Sequence, residues 1–166
     1  ITKKQEGNEI TEMYDMYEGG CRAFTDDKKS LIRNDIFTIA MLYTKNMNAT
    51  IINFPNENYL SRNGNMHEGK ISTKIGLKAI PRVAEEMIID RDIQITNYTN
   101  SKLHLSYIST ANGAKKIKEA KKKGLKITAD VALHNLLLTD ESVNNFDTRY
   151  KVLPPLREKS DINTLI

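Results

Sequence analysis

Cysteine is nearly missing from this sequence. Cys21 is the only one in 166 residues, so no internal disulfide can form. The reducing cytoplasm is the simplest compartment for such a chain. Long hydrophobic runs are missing too. Apolar residues make up 39% of the chain, and their runs are as short as Leu136-Leu137-Leu138, so no membrane-spanning helix is expected. The opening Ile1-Thr2-Lys3-Lys4 is polar and lacks the apolar core of a signal peptide. It also lacks an initiator Met, which leads us to expect that the chain begins inside a longer protein. Neither H-x-H nor H-E-x-x-H occurs, and a nucleophile elbow and a P-loop are both absent.

Basic charge is in slight excess, with a formal net charge of +4. Much of it sits in Lys115-Lys116-Ile117-Lys118-Glu119-Ala120-Lys121-Lys122-Lys123. A nucleic-acid patch would need aromatic platforms among the lysines, and none is there. Ala114, Ile117 and Ala120 instead supply the narrow apolar stripe of an amphipathic helix whose lysines face water. No nucleic-acid partner and no membrane are expected.

Four short β-type runs stand out: Cys21–Phe24, Ala49–Phe54, Lys102–Ile108 and Lys126–Val131. Helical patterns separate them. Leu31 to Met47 carries Leu31, Ile32, Ile36, Ile39, Ala40, Leu42 and Tyr43 near a 3.6 period. Ile80 to Tyr98 does so through Val83, Ala84, Met87, Ile88, Ile93 and Ile95, with Pro81 suited to a first turn. Ala114 to Lys123 is closed by Gly124 in the C′ position. An earlier helix, Glu9 to Tyr17, ends at Gly19-Gly20. Alternating strands and helices predict an α/β fold with a parallel sheet. Between the second and third strands lies an excursion, Asn56 to Leu77, rich in Asn, Gly and Ser. It leaves the C-terminal end of a strand, which in a (β/α) barrel is the active-site face. Four strands cannot close an eight-strand barrel. Either the sheet is open and doubly wound, or the chain is part of a longer protein. The final Asp161 to Ile166, which reads as the start of a helix, favours the latter.

Few residues offer chemistry. Asp26-Asp27 closes the first strand, where paired carboxylates suit a cation and equally suit a turn or helix cap. His67, His104 and His134 fall on three different elements. A strand histidine such as His104 more often packs and hydrogen-bonds than binds metal. Cys21, in an apolar strand with no nearby base, is expected to be buried and structural. In Lys151-Val152-Leu153-Pro154-Pro155-Leu156-Arg157, two prolines fix an extended path. They would hold Arg157 either to grip a carboxylate bidentately or as a surface arginine on a rigid connector.

Taken together, these stretches resemble the dihydroorotases. Ala23-Phe24-Thr25-Asp26-Asp27 resembles the family's A-F-[ST]-D-D. Met66-His67-Glu68-Gly69, Ser72-Thr73 and Gly76-Leu77 are similar to M-N-E-G…S…G-L. Ala84-Glu85-Glu86 and Arg91-Asp92 match its A-E…R-D, and His104 to Thr110 its H-x-x-H-[IV]-S-T. Thr128 to Val131, His134 and Leu136 to Asp140 are similar to T-[AC]-[ED]-V…H-H-L-x-L-T-[DE]. Tyr150 to Arg157 is similar to Y-K-x-N-P-P-L-R. The resemblance covers essentially the whole chain, in order.

It implies a partial TIM-type (β/α)8 barrel, with roughly the fourth to seventh strands present and the others outside this chain. Residues 1–166 would then be part of a single amidohydrolase barrel domain. It implies reversible cyclisation of N-carbamoyl-aspartate to dihydroorotate at a zinc centre. Carried over residue by residue, Asp27 matches a metal-ligand aspartate. The fifth-strand histidine falls at Phe54, the sixth-strand histidine at Tyr107, and a substrate-binding asparagine at Leu153. Arg157 follows the matched motif. A phenyl ring cannot bind zinc, and a neutral phenol is a poor ligand, so zinc is not expected on this chain alone. Allantoinase and dihydropyrimidinase, the sister amidohydrolases, place a carboxylated lysine where Asp27 stands. Two readings remain. One is an impaired dihydroorotase acting on dihydroorotate or N-carbamoyl-aspartate, with a rearranged or single-metal centre in which Asp27, with His104 or His67 recruited, would hold metal. The other is an inactive homologue serving as a structural partner, in a homo-oligomer or with aspartate transcarbamoylase.

Overall fold

The computed structural model describes residues 1–166. Its elements run α1 (Met13–Glu18), β1 (Ala23–Thr25), α2 (Asn34–Asn46), β2 (Thr50–Asn53), α3 (Asn58–Ser61), β3 (Met66–His67), α4 (Lys70–Ile75) and β4 (Ala79–Ile80). They continue with α5 (Val83–Thr99), β5 (Lys102–Leu105), α6 (Ala111–Lys122), β6 (Ile127–Ala129), α7 (Leu133–Leu137) and α8 (Lys159–Leu165), with short 3-10 turns between α7 and α8. Strands β1-β2-β5-β6 form one sheet, every pair parallel. All four expected strands are present, each within the predicted run or one residue beyond it. The excursion after β2 holds α3, α4 and a small parallel pair, β3 with β4.

The sheet has two unlike faces because side chains alternate along a strand. Phe24, Ile51, Leu103 and Ile127 are in register across it, and all four are buried against the helices. The neighbouring row, Thr25, Ile52, His104 and Thr128, lies on the other face and keeps contact with solvent. One face covered by helices and one open is what a segment of a barrel wall looks like.

The helix stripes differ from the periodicity reading. In α2 the buried residues are Ile36, Phe37, Ala40, Met41 and Thr44, while Ile39 and Leu42 face outward at 48% and 43% exposure. In α5 Val83 and Met87 are exposed, and the core face instead carries Glu85, Asp92, Thr96 and Thr99 beside Ala84, Ile88 and Ile89. Hydrophobicity alone points to the wrong side there, because two carboxylates are buried with partners. Pro81 stands just ahead of α5 rather than in its first turn. Helix α6 agrees well: Ile117 and Ala120 are buried, and Gly124 takes φ +84° past the end.

Cys21 is a correction. It is exposed and free, because β1 begins at Ala23 and the cysteine lies in the turn after Gly19-Gly20. No helix is long and apolar enough to cross a membrane.

Phe37, fully buried in the main core, should cost about 3–5 kcal/mol when changed to Ala. Ile39→Ala, two positions on, should stay within about 0.5 kcal/mol. Urea denaturation midpoints of the two variants check the assigned face.

Candidate functional site

The C-terminal ends of β1, β2 and β5 bring most of the expected positions together. Asp27 follows β1 in a left-handed turn, φ +58°, with its backbone N–H donated to Thr25 Oγ1 at 2.9 Å. Its carboxylate is exposed. Asp26 points the other way: it is buried and accepts from the backbone N–H of Thr2 at 2.8 Å and from the Thr2 hydroxyl. The Asp-Asp pair is therefore divided between a structural anchor and a free carboxylate, not a chelating pair.

Phe54, one residue past β2, is 2% exposed. Its ring meets Tyr107 edge to face, centroids 6.3 Å apart and planes at 75°. Tyr107 sits past β5 at φ +60°, and Asp130 Oδ1 accepts its backbone N–H at 2.7 Å. Lys28 lies over the Tyr107 ring with Nζ 4.7 Å from the centroid. The same ammonium donates to the Leu153 carbonyl at 3.1 Å. Positions 54, 107 and 153 are thus linked through Phe54–Tyr107 packing and Lys28, the residue that follows Asp27. What they assemble is an aromatic pair capped by a lysine, not a set of metal donors.

His104 belongs to the open sheet face. Its ring nitrogens meet Thr128 Oγ1 and Asp130 Oδ2, each at 2.8 Å. Burial alone would raise the Asp130 carboxyl, but the hydrogen bonds from His104 and the Tyr107 N–H hold it below the ordinary range. His104 is the hydrogen-bonded strand histidine expected, and it steadies the residue that fixes the Tyr107 turn. His134 lies on α7 with Nε2 buried and unpartnered.

Arg157 is held, as its prolines suggested, but it faces inward. It is 2% exposed. Nε donates to Ser109 Oγ at 3.0 Å, and one terminal nitrogen reaches the Ile80 carbonyl at 3.2 Å and His67 Nδ1 at 3.1 Å. The carboxylate it grips is that of Glu85, at 3.5 Å. Glu85 also accepts from the backbone N–H groups of Ser109 and Thr110, both at 2.9 Å, and from both hydroxyls. Sequence reading placed neither Glu85 nor His67 in this cluster, although the A-E pair and the loop histidine were visible.

His67, in β3, is completely buried. Burial first, then the charges of Arg157 and Arg82, push its pKa down to about 4, so the ring is neutral at pH 7. Beyond it stand Asp140 and Glu158. Burial, then repulsion from Glu158 and Glu141, raises the Asp140 carboxyl. Arg82 binds Glu158 at 2.7 Å and Asp161 at 2.8 Å, tying the start of α5 to α8.

The zinc centre that the motifs imply does not fit these residues. Of the three positions that the motifs assign to zinc, only Asp27 keeps a donor; Asp130, past β6, is engaged by His104 and the Tyr107 N–H, and a single carboxylate cannot hold zinc in a tetrahedral site. The Lys28 ammonium already brings positive charge to the same place.

Comparison with known proteins places this geometry. A family model described as dihydro-orotase-like matches residues 1–113. A curated dihydroorotase from Thermoanaerobacter sp. (strain X514) is 44% identical over 166 residues, covering 100% of this chain and 38% of that protein. One from Carboxydothermus hydrogenoformans is 41% identical over 166 residues, with 100% and 39% covered. The chain therefore spans about two fifths of the length of these relatives. Among solved structures, a D-hydantoinase aligns with TM-score 0.75 and 22% identity, covering 93% of this chain and 36% of that one. A Saccharomyces cerevisiae dihydroorotase in complex with 5-fluoroorotic acid aligns with TM-score 0.63 and 13% identity, covering 92% and 43%. At those identities the structures share the fold, and the α/β architecture is that of part of an amidohydrolase TIM barrel.

Removing Arg157 leaves Glu85 buried without its cation. Arg157→Met should therefore cost about 3–5 kcal/mol in urea denaturation. The Glu85→Gln/Arg157→Met pair should cost less than the sum of its two single changes, which a double-mutant cycle reads directly.

Proposed function

This chain belongs to the dihydro-orotase-like family, and from that premise we propose that it is the middle of a cyclic amidohydrolase barrel whose metal centre is degenerate. The family is in general zinc-dependent and acts on small-molecule substrates. The reaction class is the ring closure of N-carbamoyl-aspartate to dihydroorotate in pyrimidine synthesis. The observation that carries the reading of degeneracy is the Phe54–Tyr107 ring pair with Lys28 above it. Two strand tips that should present imidazole lone pairs present a phenyl ring and a phenol, and the Lys28 ammonium already lies over the phenol ring. Leu153 offers an aliphatic side chain where an asparagine would hydrogen-bond a pyrimidine edge.

On this reading, two of the three zinc positions in this segment have lost their donors, and the segment alone does not assemble the family's metal centre. What its residues retain is architecture. Asp130 and His104 hold the Tyr107 turn, and Glu85 with Arg157 locks the returning C-terminal segment. An inactive homologue serving as a structural partner, in a homo-oligomer or with aspartate transcarbamoylase, is consistent with a fold kept while ligands are lost. The exposed free thiol of Cys21 suits the reducing cytoplasm.

We further propose that residues 1–166 form part of one barrel domain whose other strands lie outside this chain. The edges of β1 and β6 and the open sheet face would then be covered by those strands. Expressed alone, the 166 residues should self-associate in light scattering. A monodisperse monomer with a single cooperative melt would contradict this.

The degenerate-centre reading is tested on the full-length protein. Dihydroorotate turnover should stay at background, with zinc well below one per chain by elemental analysis. Phe54→His with Tyr107→His should raise zinc content. Zinc at one per chain or more in the unaltered protein, accompanied by turnover, defeats the proposal.

A further inference from the structure

A second cluster of possible ligands lies apart from the strand tips. One ligand atom each from His67, Asp140 and Glu158 fall within 4.8 Å of one another. They join the β3 excursion to the chain on either side of Arg157. Asp140 and Glu158 line a groove of about 530 Å³. Lys70 and Lys159 line it as well, yet neither pairs with either carboxylate.

His67 points to a ligand independently of the acids. Its ring is completely buried, and its Nε2 has no hydrogen-bond partner. Nδ1 is engaged by Arg157. A guanidinium has only donors, so Nδ1 must accept, and the proton of the neutral ring sits on Nε2. A buried N–H without an acceptor is costly. Gly69 keeps the space beside it open: a Cβ there would stand 3.4 Å from both His67 Nε2 and Glu158 Oε1. Glu158 Oε2 is held by Arg82, which leaves Oε1 free on the Gly69 side. Asp140 is 4% exposed, and no basic side chain pairs with it. Asp140 thus keeps an unpaired carboxylate in a largely buried place, which favours a cation.

We propose that Asp140 and Glu158 bind a hard divalent cation of the Mg²⁺ or Mn²⁺ class in this groove, with the unmet His67 Nε2–H donating to a water on the ion. Two carboxylates with the remaining positions filled by water is a usual Mg²⁺ arrangement. A direct zinc–His67 bond is disfavoured, because Nε2 would have to lose its proton while Nδ1 faces a guanidinium. His67 is a positioning residue here, acting through that water.

The test uses the full-length protein, stripped by a chelator and titrated with Mn²⁺, the free ion being read by electron paramagnetic resonance. Unaltered protein should bind Mn²⁺ saturably at a site that Asp140→Asn removes. His67→Leu should weaken that site roughly tenfold or more, and His67→Asn, which keeps an N–H donor, should bind like the unaltered protein. Thermal melts check that each variant folds. Should Asp140→Asn fail to fold, Glu158→Gln gives the same reading from a less buried position. No saturable binding, or equal binding in the carboxamide variants and the unaltered protein, overturns the site. Equal loss in His67→Asn and His67→Leu overturns the donor role of His67.

Discussion

Glu85 is a carboxylate on the core side of a helix, and a buried charge has to be met wherever it sits. Its oxygens are satisfied by the Ser109-Thr110 turn after β5 and by Arg157 from the far end of the chain. That one requirement ties three parts of the fold. It sets α5 against the sheet, pins the start of α6, and draws the Pro154-Pro155-Leu156-Arg157 segment inward. Arg157 then spreads to Ile80 and His67, so the β3–β4 excursion is fastened to the same point. Asp92, two helical turns along α5, does a similar job lower in the sheet. It accepts from Asn53 of β2 at 2.7 Å and from Arg91, which in turn caps the carbonyls of Leu31 and Ile32.

The two polar clusters of this chain differ in completeness, and that difference separates architecture from a binding site. Around Glu85 and Asp92 every charge meets a donor within the protein. Around Asp140 the negative groups outnumber their partners, and the His67 N–H faces them without an acceptor. A satisfied buried network rigidifies; an unsatisfied one at a groove has room for something else.

The sheet was legible because strand runs bounded by Gly, Asn and Ser carry a strong local signal. Lys102 to Ile108 and Lys126 to Val131 needed only their ends trimmed. That Phe54 and Tyr107 meet was foreseeable from the motifs, since parallel strands present their C-terminal ends together. Helix faces were less legible. Glu85 and Asp92 are buried and Val83 and Met87 exposed, because long-range partners override hydrophobic spacing, and those partners lie on other elements. Cys21 was misplaced for a simpler reason: the glycine pair delays the strand by two residues, so an apolar neighbourhood became a turn. Lys28 carried no sequence signal at all, since nothing local says that its ammonium reaches Tyr107 and the Leu153 carbonyl.

That lysine bears on why, on the proposed reading of a degenerate centre, the ligand changes would occur together. Metal donors converge without touching, and without the ion they leave a gap lined by lone pairs. Phe54 and Tyr107 close such a gap by direct edge-to-face contact, and Lys28 supplies a positive charge close to the Asp27 turn. Each substitution makes sense only with the others. A single imidazole restored at 54 would lose the ring contact and gain no metal, because its partner position is still a phenol. One restored at 107 would lose the aromatic face under the ammonium. The tips therefore form a self-sufficient polar-aromatic cap, stable without an ion. On the proposed reading, building a zinc site here would pass through variants that have neither the cap nor the metal.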